Sequence, residues 1–243
     1  MARIFITGSA GGLGLAAAES LLGDGHEVIV HARSAERLDA VDALVGRGAS
    51  AVVGDLADIE QTRAVADEVN RLGRVDAVIH NAGVNRGPHI LPVNVVAPYL
   101  LTALIQRPQR LVYLSSGMHE GGRADLAGLD WSGRRGTGSY SDSKLFVTAL
   151  AVAVARIWPD VYSNAVDPGW VPTRMGGRGA PDDLRLGHLT QEWLATSDEP
   201  EARSSGGYWF HQRRRSPHPA AGDTQFQVSL LASLARFTAV PLN

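Results

Sequence analysis

Tyr140 and Lys144 stand four positions apart in "YSDSKLFVTAL". On a helix that spacing sets them one turn apart on the same face. A phenol titrates near ~10 and moves protons poorly at neutral pH, but an ammonium close by stabilises its phenolate, so the pair can act as a proton-transferring unit. A second stretch carries different chemistry. In "ITGSAGGLG", Ile6 to Gly14, glycines follow the apolar run Ile4-Phe5-Ile6 and precede the helix-like "LGLAAAESLL". Glycine permits a tight turn at positive φ and lets a pyrophosphate approach the backbone, while the helix N-terminus offers N–H groups and partial positive charge. Strand, glycine turn and helix in that order favour dinucleotide binding.

The elements that must position these residues follow from the hydrophobic pattern. Strand-like runs occur at "RIFIT", "HEVIVHA", "SAVVGD", "VDAVIHNAG", "RLVYLSS", "YSNAVDPG" and "GGYWFH". Between them lie helical patterns. One starts at Ser34 and puts Leu38, Val41, Leu44 and Val45 on one face. Another starts at Asp58, with Gln61 completing a capping box, and "VNVVAPYLLTALI" is a helix with a proline inside it. A long helix runs from Tyr140 to Trp158, and a last one, capped by Asp223, repeats Phe226, Leu230, Leu234 and Phe237. This alternation predicts an α/β fold: a doubly wound, mainly parallel sheet of about seven strands with helices on both faces. Ligands of such sheets bind beyond the carboxyl ends of the strands, where the strand order reverses.

At 243 residues and 44% hydrophobic positions the chain suits a single domain, 1–243. A net charge of -2 gives no broad basic field, which argues against nucleic acid or anionic membrane as a partner. Arg213-Arg214-Arg215, beside "SPHP", reads as a solvated loop. There is no cysteine, so disulfides, thiolate catalysis and cysteine metal sites are excluded. The opening residues lack a basic, apolar leader pattern, and no apolar run reaches the ~20 residues of a membrane span; a cytoplasmic location is expected.

Thr7-Gly8-xxx-Gly12-x-Gly14, "NAG" at Asn81-Ala82-Gly83, Ser115-Ser116, Tyr140-xxx-Lys144 and "PGWVPT" from Pro168 to Thr173 occur in one order along the chain. Together they resemble the short-chain dehydrogenase/reductase family, a single-domain Rossmann fold. The resemblance implies that Tyr140 exchanges a proton with the substrate oxygen, that Lys144 lowers the tyrosine's pKa and holds the nicotinamide ribose, and that Ser116 polarises the carbonyl. Asn94 would support a water linked to Lys144. Thr7, Gly8, Gly12, Leu13 and Gly14 would cradle the dinucleotide, Asp55 and Leu56 the adenine, Asn81, Ala82 and Gly83 the adenosine ribose, and Pro168, Gly169, Val171 and Thr173 the nicotinamide. Where NAD-specific relatives place an acid after the second strand, this chain has Ala32 followed by Arg33. An arginine pairs with a 2′-phosphate, so NADP(H) is preferred, with NAD(H) possible. No metal is needed.

Two spacings depart from the family pattern. The stretch from Asn81 to Asn94 is short, which bears on Asn94 and on the helix relatives often use to associate, so a homo-oligomer is possible but not implied. The stretch from Ser116 to Tyr140 is long and resembles the retinol-dehydrogenase-like, carbonyl-reducing branch. That branch implies an apolar carbonyl or alcohol as the small-molecule substrate. Met118, His119, Trp131, Trp170 and Met175 are candidates to line an apolar cleft, and the irregular segment 170–205 is expected to be a substrate lid. The alternative function is a non-catalytic NADP(H)-sensing regulator on the same fold.

Overall fold

The computed structural model describes residues 1–242. Eight strands form one sheet: β1 (Arg3–Ile6), β2 (Glu27–Ala32), β3 (Ser50–Val53), β4 (Ala77–His80), β5 (Arg110–Leu114), β6 (Tyr162–Asp167), β7 (Tyr208–Phe210) and β8 (Arg213–Arg215). Their order is β3-β2-β1-β4-β5-β6-β7-β8. Every pairing from β3 to β7 is parallel, and only β8 runs antiparallel. The chain leaves β1 towards β2 and β3 and later returns to its other side with β4. That reversal opens a crevice at the carboxyl end of β1.

Alternation along the strands builds two cores. Phe5, Ile29, Val78, Leu111 and Tyr113 face one side of the sheet, where helices α3 (Ile59–Leu72), α4 (Ala97–Leu104), α5 (Tyr140–Ile157) and α7 (Thr224–Thr238) cover them. Ile4, Ile6, Val30, Ile79, Val112 and Val166 face the other side, under α1 (Gly12–Gly23) and α6 (Leu184–Thr196). Strands apolar on both faces are what a parallel sheet between helix layers requires.

Several elements differ from the expectation. The sheet has eight strands, because Arg213–Arg215 pairs with β7 as an exposed edge rather than forming a loop. Three arginines on an edge strand discourage further pairing, and Arg215 stacks on Phe210 at 3.9 Å. After Ser34 comes a 3₁₀ segment, Ala35–Ala40, then a single short helix, α2 (Asp42–Val45). Val41 and Leu44 are buried, but Val45 is exposed, since Val41 leaves helical geometry at φ -119°, ψ 1°. Asp58 caps α3, yet Gln61 does not reciprocate; its side chain accepts from the Asp55 N–H instead. The proline-containing helix starts as a π turn, Pro92–Val96, with Ala97 N–H reaching back to Pro92. This widening sits just upstream of Pro98, which has no N–H to offer. Segment 170–205 is not irregular throughout: α6 lies within it, with Trp193, Leu194 and Ala195 in the core.

Candidate active site

The glycine turn is built by side chains from neighbouring strands. Gly8 takes φ 65° and Gly12 φ 58°. A Cβ on Gly14 would lie 2.4 Å from Asn81 Nδ2, and one on Gly8 would lie 3.0 Å from Ala82 Cα. Asn81, just past β4, donates to the carbonyls of Thr7 (2.9 Å) and Gly8 (3.3 Å), while Thr7 Oγ1 accepts from Ala82 N–H. From β2, His31 accepts the Gly8 N–H at Nδ1 (3.0 Å) and therefore donates from Nε2 to Gly54 O (2.8 Å). Burial holds its pKa below the usual histidine value, in keeping with that neutral tautomer.

The first turn of α1 makes no hydrogen bond to a capping side chain. Helices α3, α5, α6 and α7 are all capped by Asp or Ser. An uncapped N-terminus behind a glycine cradle leaves N–H groups directed at the crevice, which fits a dinucleotide phosphate. Thr173, from the loop after β6, closes the opposite side: its Cγ2 lies 3.6 Å from where a Gly12 Cβ would be.

The proton-transferring groups converge at the ends of β5 and β6. Ser139 and Asp142 form a reciprocal capping box that fixes the start of α5, so Tyr140 and Lys144 project from its first two turns. Lys144 is 4% exposed; its Nζ donates to Leu114 O at 2.7 Å and lies 5.5 Å from the Tyr140 ring centre. Burial pulls its pKa down to about 8, against an opposing effect of Asp167. Ser115 is turned into the core towards Thr148 Oγ1 (2.7 Å). Ser116 is not turned inward: its Oγ accepts from Met118 N–H at 3.2 Å and interacts with the Tyr140 hydroxyl.

Burial pushes the Tyr140 pKa up, Ser116 opposes it, and Asp167 adds to it.

Comparison with known proteins bears on the family and the fold. A family model described as short chain dehydrogenase matches residues 2–103. The uncharacterized oxidoreductase AN7799 of Emericella nidulans is 38% identical, covering 95% of this chain and 94% of its own. The chain belongs to the short-chain dehydrogenase/reductase family. It is an oxidoreductase of that family, and it is similar to human retinol dehydrogenase 13, at 26% identity over 96% of this chain and 83% of that protein's length. Among solved structures, an uncharacterized protein from Mycobacterium paratuberculosis superposes with TM-score 0.82 at 22% identity, covering 100% and 95% of the two chains. A blue fluorescent protein from a metagenomic library, solved with NADPH, gives 0.72 at 24% identity over 86% and 95%. These likenesses establish the Rossmann fold.

In this short-chain dehydrogenase Asn94 sits on the π turn, 2% exposed, with its amide bonded to the Val84 backbone at both ends and to Ser143 Oγ. It clamps the loop after β4. A Cβ on Gly83 would meet both Asn94 Oδ1 and Lys144 Nζ at 3.5 Å, so this loop is held against the lysine. Asp55 closes a local turn with Ala57 N–H at 2.9 Å, and Leu56 packs into the core. After β6, Gly169 adopts φ 81°, Val171 is buried, and Trp170 N–H is held by Asp182.

Of the five cleft candidates, His119 and Trp131 are packed inside. Met118, Trp170 and Met175 are exposed: Met118 N–H donates to Ser116, Met175 lies against the Tyr140 hydroxyl, and Trp170 holds the loop that carries Met175. Arg33 is exposed at the end of β2.

Three residues of this region escaped the sequence reading: His31, Arg37 and Asp167. Arg37 donates from Nη2 to Ala10 O at 3.3 Å and so overlies the glycine turn. Its signal was available, because Arg33 and Arg37 are four apart in "ARSAERL".

Proposed function

We propose that this oxidoreductase prefers NADP(H) and moves a hydride between the nicotinamide and the carbon of an apolar carbonyl or alcohol. The observation that carries this reading is that Ser116 and Lys144 both meet Tyr140, while the loop that Asn81 and Ala82 tie to the glycine turn brings Gly83 against Lys144. The cofactor, when bound, supplies or accepts the hydride. Thr7, Gly8, Gly12, Leu13 and Gly14 hold its phosphates, with Asp55, Leu56, Asn81, Ala82 and Gly83 on the adenosine side and Pro168, Gly169, Val171 and Thr173 on the nicotinamide side. Arg33 and Arg37 provide two guanidinium groups beside the turn, and β2 ends without a carboxylate to repel a 2′-phosphate. The NADPH in the blue fluorescent protein's structure supports the same preference.

In the reductive direction Tyr140 gives its phenolic proton to the substrate oxygen. Ser116 donates a hydrogen bond to that oxygen, and Lys144 stabilises the phenolate left behind. Met118, Trp170 and Met175 supply an apolar rim for the substrate, and the loop 170–183 is its lid. The test is NADPH consumption with apolar aldehydes and ketones, comparing the native chain with Tyr140→Phe. Loss of turnover by roughly a hundredfold or more, with NADPH binding retained, is expected. An unchanged rate in the variant would overturn the role of Tyr140, and NADPH binding without turnover in either chain would favour the sensor reading.

A further inference from the structure

Asp167 has no part in the scheme above, although it lies in the same crevice. It is the last residue of β6 and 8% exposed. Its Oδ1 accepts the Gly169 N–H at 3.0 Å. Its Oδ2 lies 3.2 Å from the place a Cβ on Gly117 would take, so the carboxylate rests on the backbone immediately after Ser116. Among the described residues no cationic side chain comes within ion-pairing distance of it. The Tyr208 hydroxyl, buried beside it, has no hydrogen bond of ordinary geometry.

The topology supplies the missing partner at a distance. Leu114 of β5 pairs with Val166 of β6, and Lys144 Nζ hangs on the Leu114 carbonyl. The ends of two adjacent strands thus hold one carboxylate with no cation in ion-pairing range and one buried ammonium that donates to a carbonyl beside the Tyr140 ring. We propose that Asp167 is a positioning residue of the reaction centre: it ties the turns after Ser116 and Pro168 together and serves, through space, as the counter-charge that keeps Lys144 protonated and Tyr140 in its phenol form. This rests on the proposed roles of Tyr140 and Lys144.

The surrounding charges favour this assignment. Asp167 raises both Lys144 and Tyr140, and no other charged group acts on the two together. The neighbouring elements also present His119 and Glu120 after β5, Tyr208 and Arg215 from β7 and β8, and His218 beyond them. His119 is itself spent on structure, bonded to Ser116 O and to the His218 N–H.

Asp167→Asn separates charge from shape, because an amide oxygen still accepts the Gly169 N–H. Reduction needs both a charged Lys144 and a protonated Tyr140, and removing the carboxylate lowers the pKa of each. The alkaline limb of reductive kcat/KM should therefore move to lower pH by roughly one unit, the effect of one charge across several ångströms of protein. Asp167→Glu should restore it. A second readout needs no turnover: tyrosinate absorbance titrated as the difference between chains with and without Tyr140→Phe should place Tyr140 lower in Asp167→Asn than in the native background. Asp167→Ser serves the same purpose if the asparagine chain does not fold. An unmoved limb and an unmoved titration, or a shift that Asp167→Glu reproduces rather than reverses, would overturn the proposal. Failure of the native chain to reduce any carbonyl would instead count against the proposed function and leave the titration to decide on Asp167.

Discussion

The Tyr140 hydroxyl lies 4.0 Å from Met175 Sδ. The thioether of a loop residue therefore covers the group that must meet the substrate oxygen. Trp170 Nε1 holds the same loop by donating to Gly176 O at 2.9 Å, so Met175 is a shutter on a short, tethered segment. Truncation to alanine should change which substrates enter. We expect Met175→Ala to raise the ratio of kcat/KM for a bulky aryl ketone over a small aliphatic one by roughly tenfold or more, the lower end of what one methylene-sized contact supplies. Cofactor affinity should stay constant, and steady-state kinetics with the two substrates checks both.

Cofactor choice should reside in two arginines. Arg33 lies exposed at the end of β2, and Arg37 reaches back to Ala10 over the glycine turn. Charge-assisted bonds to phosphate are worth roughly 1.5–3 kcal/mol. Arg33→Ala and Arg37→Ala should therefore each weaken NADPH binding by roughly ten- to a hundredfold while leaving NADH nearly unchanged. Fluorescence titration with each nucleotide reads the difference. Equal losses for both would mean that the arginines shape the turn rather than read the 2′-phosphate.

The parts of this site that were legible in the sequence are those with a backbone or periodic reason. Gly8 and Gly12 need positive φ, Tyr140 and Lys144 share a helix face, and the apolar strands announce a doubly covered sheet. What was hidden depends on packing between distant segments. Nothing local to Asp167 says that its neighbour is Gly117, and nothing local to His31 says that it receives the Gly8 N–H. Gln61 matched a capping box by spacing but found a better partner in Asp55, and Arg213–Arg215 looked like a loop because an edge strand can be wholly polar.

Gly14 tests the cradle itself. A methyl group there would meet Asn81 Nδ2 at 2.4 Å and Gly8 O at 2.8 Å, and the second contact is backbone that has little room to yield. Overpacking of this kind costs about 1–3 kcal/mol. Gly14→Ala should lower the melting temperature by roughly 2–10 °C and weaken NADPH binding, because Asn81 would lose its bonds to Thr7 and Gly8. Thermal unfolding with and without NADPH separates the two effects.

His80 gives the fold an acid-sensitive point away from the catalytic groups. Its Nε2 shares a hydrogen bond with Thr102 Oγ1 at 3.1 Å, its ring stacks on Tyr113 at 4.7 Å, and its Nδ1 is buried without a partner. Burial pulls its pKa to about 3. In the unfolded chain it titrates at its ordinary value near ~6.5. The neutral ring's contribution is thus complete above that value and is lost progressively as pH falls towards 3, because the unfolded chain takes up the proton first. By pH 5 the loss amounts to about 2 kcal/mol, or roughly 4–8 °C in melting temperature. His80→Phe keeps a ring on Tyr113 and leaves Thr102 bonded to the Tyr113 hydroxyl. Its melting temperature should fall less between pH 7 and pH 5 than that of the native chain. Parallel curves for the two proteins would place the acid sensitivity elsewhere, with His31 the next residue to replace.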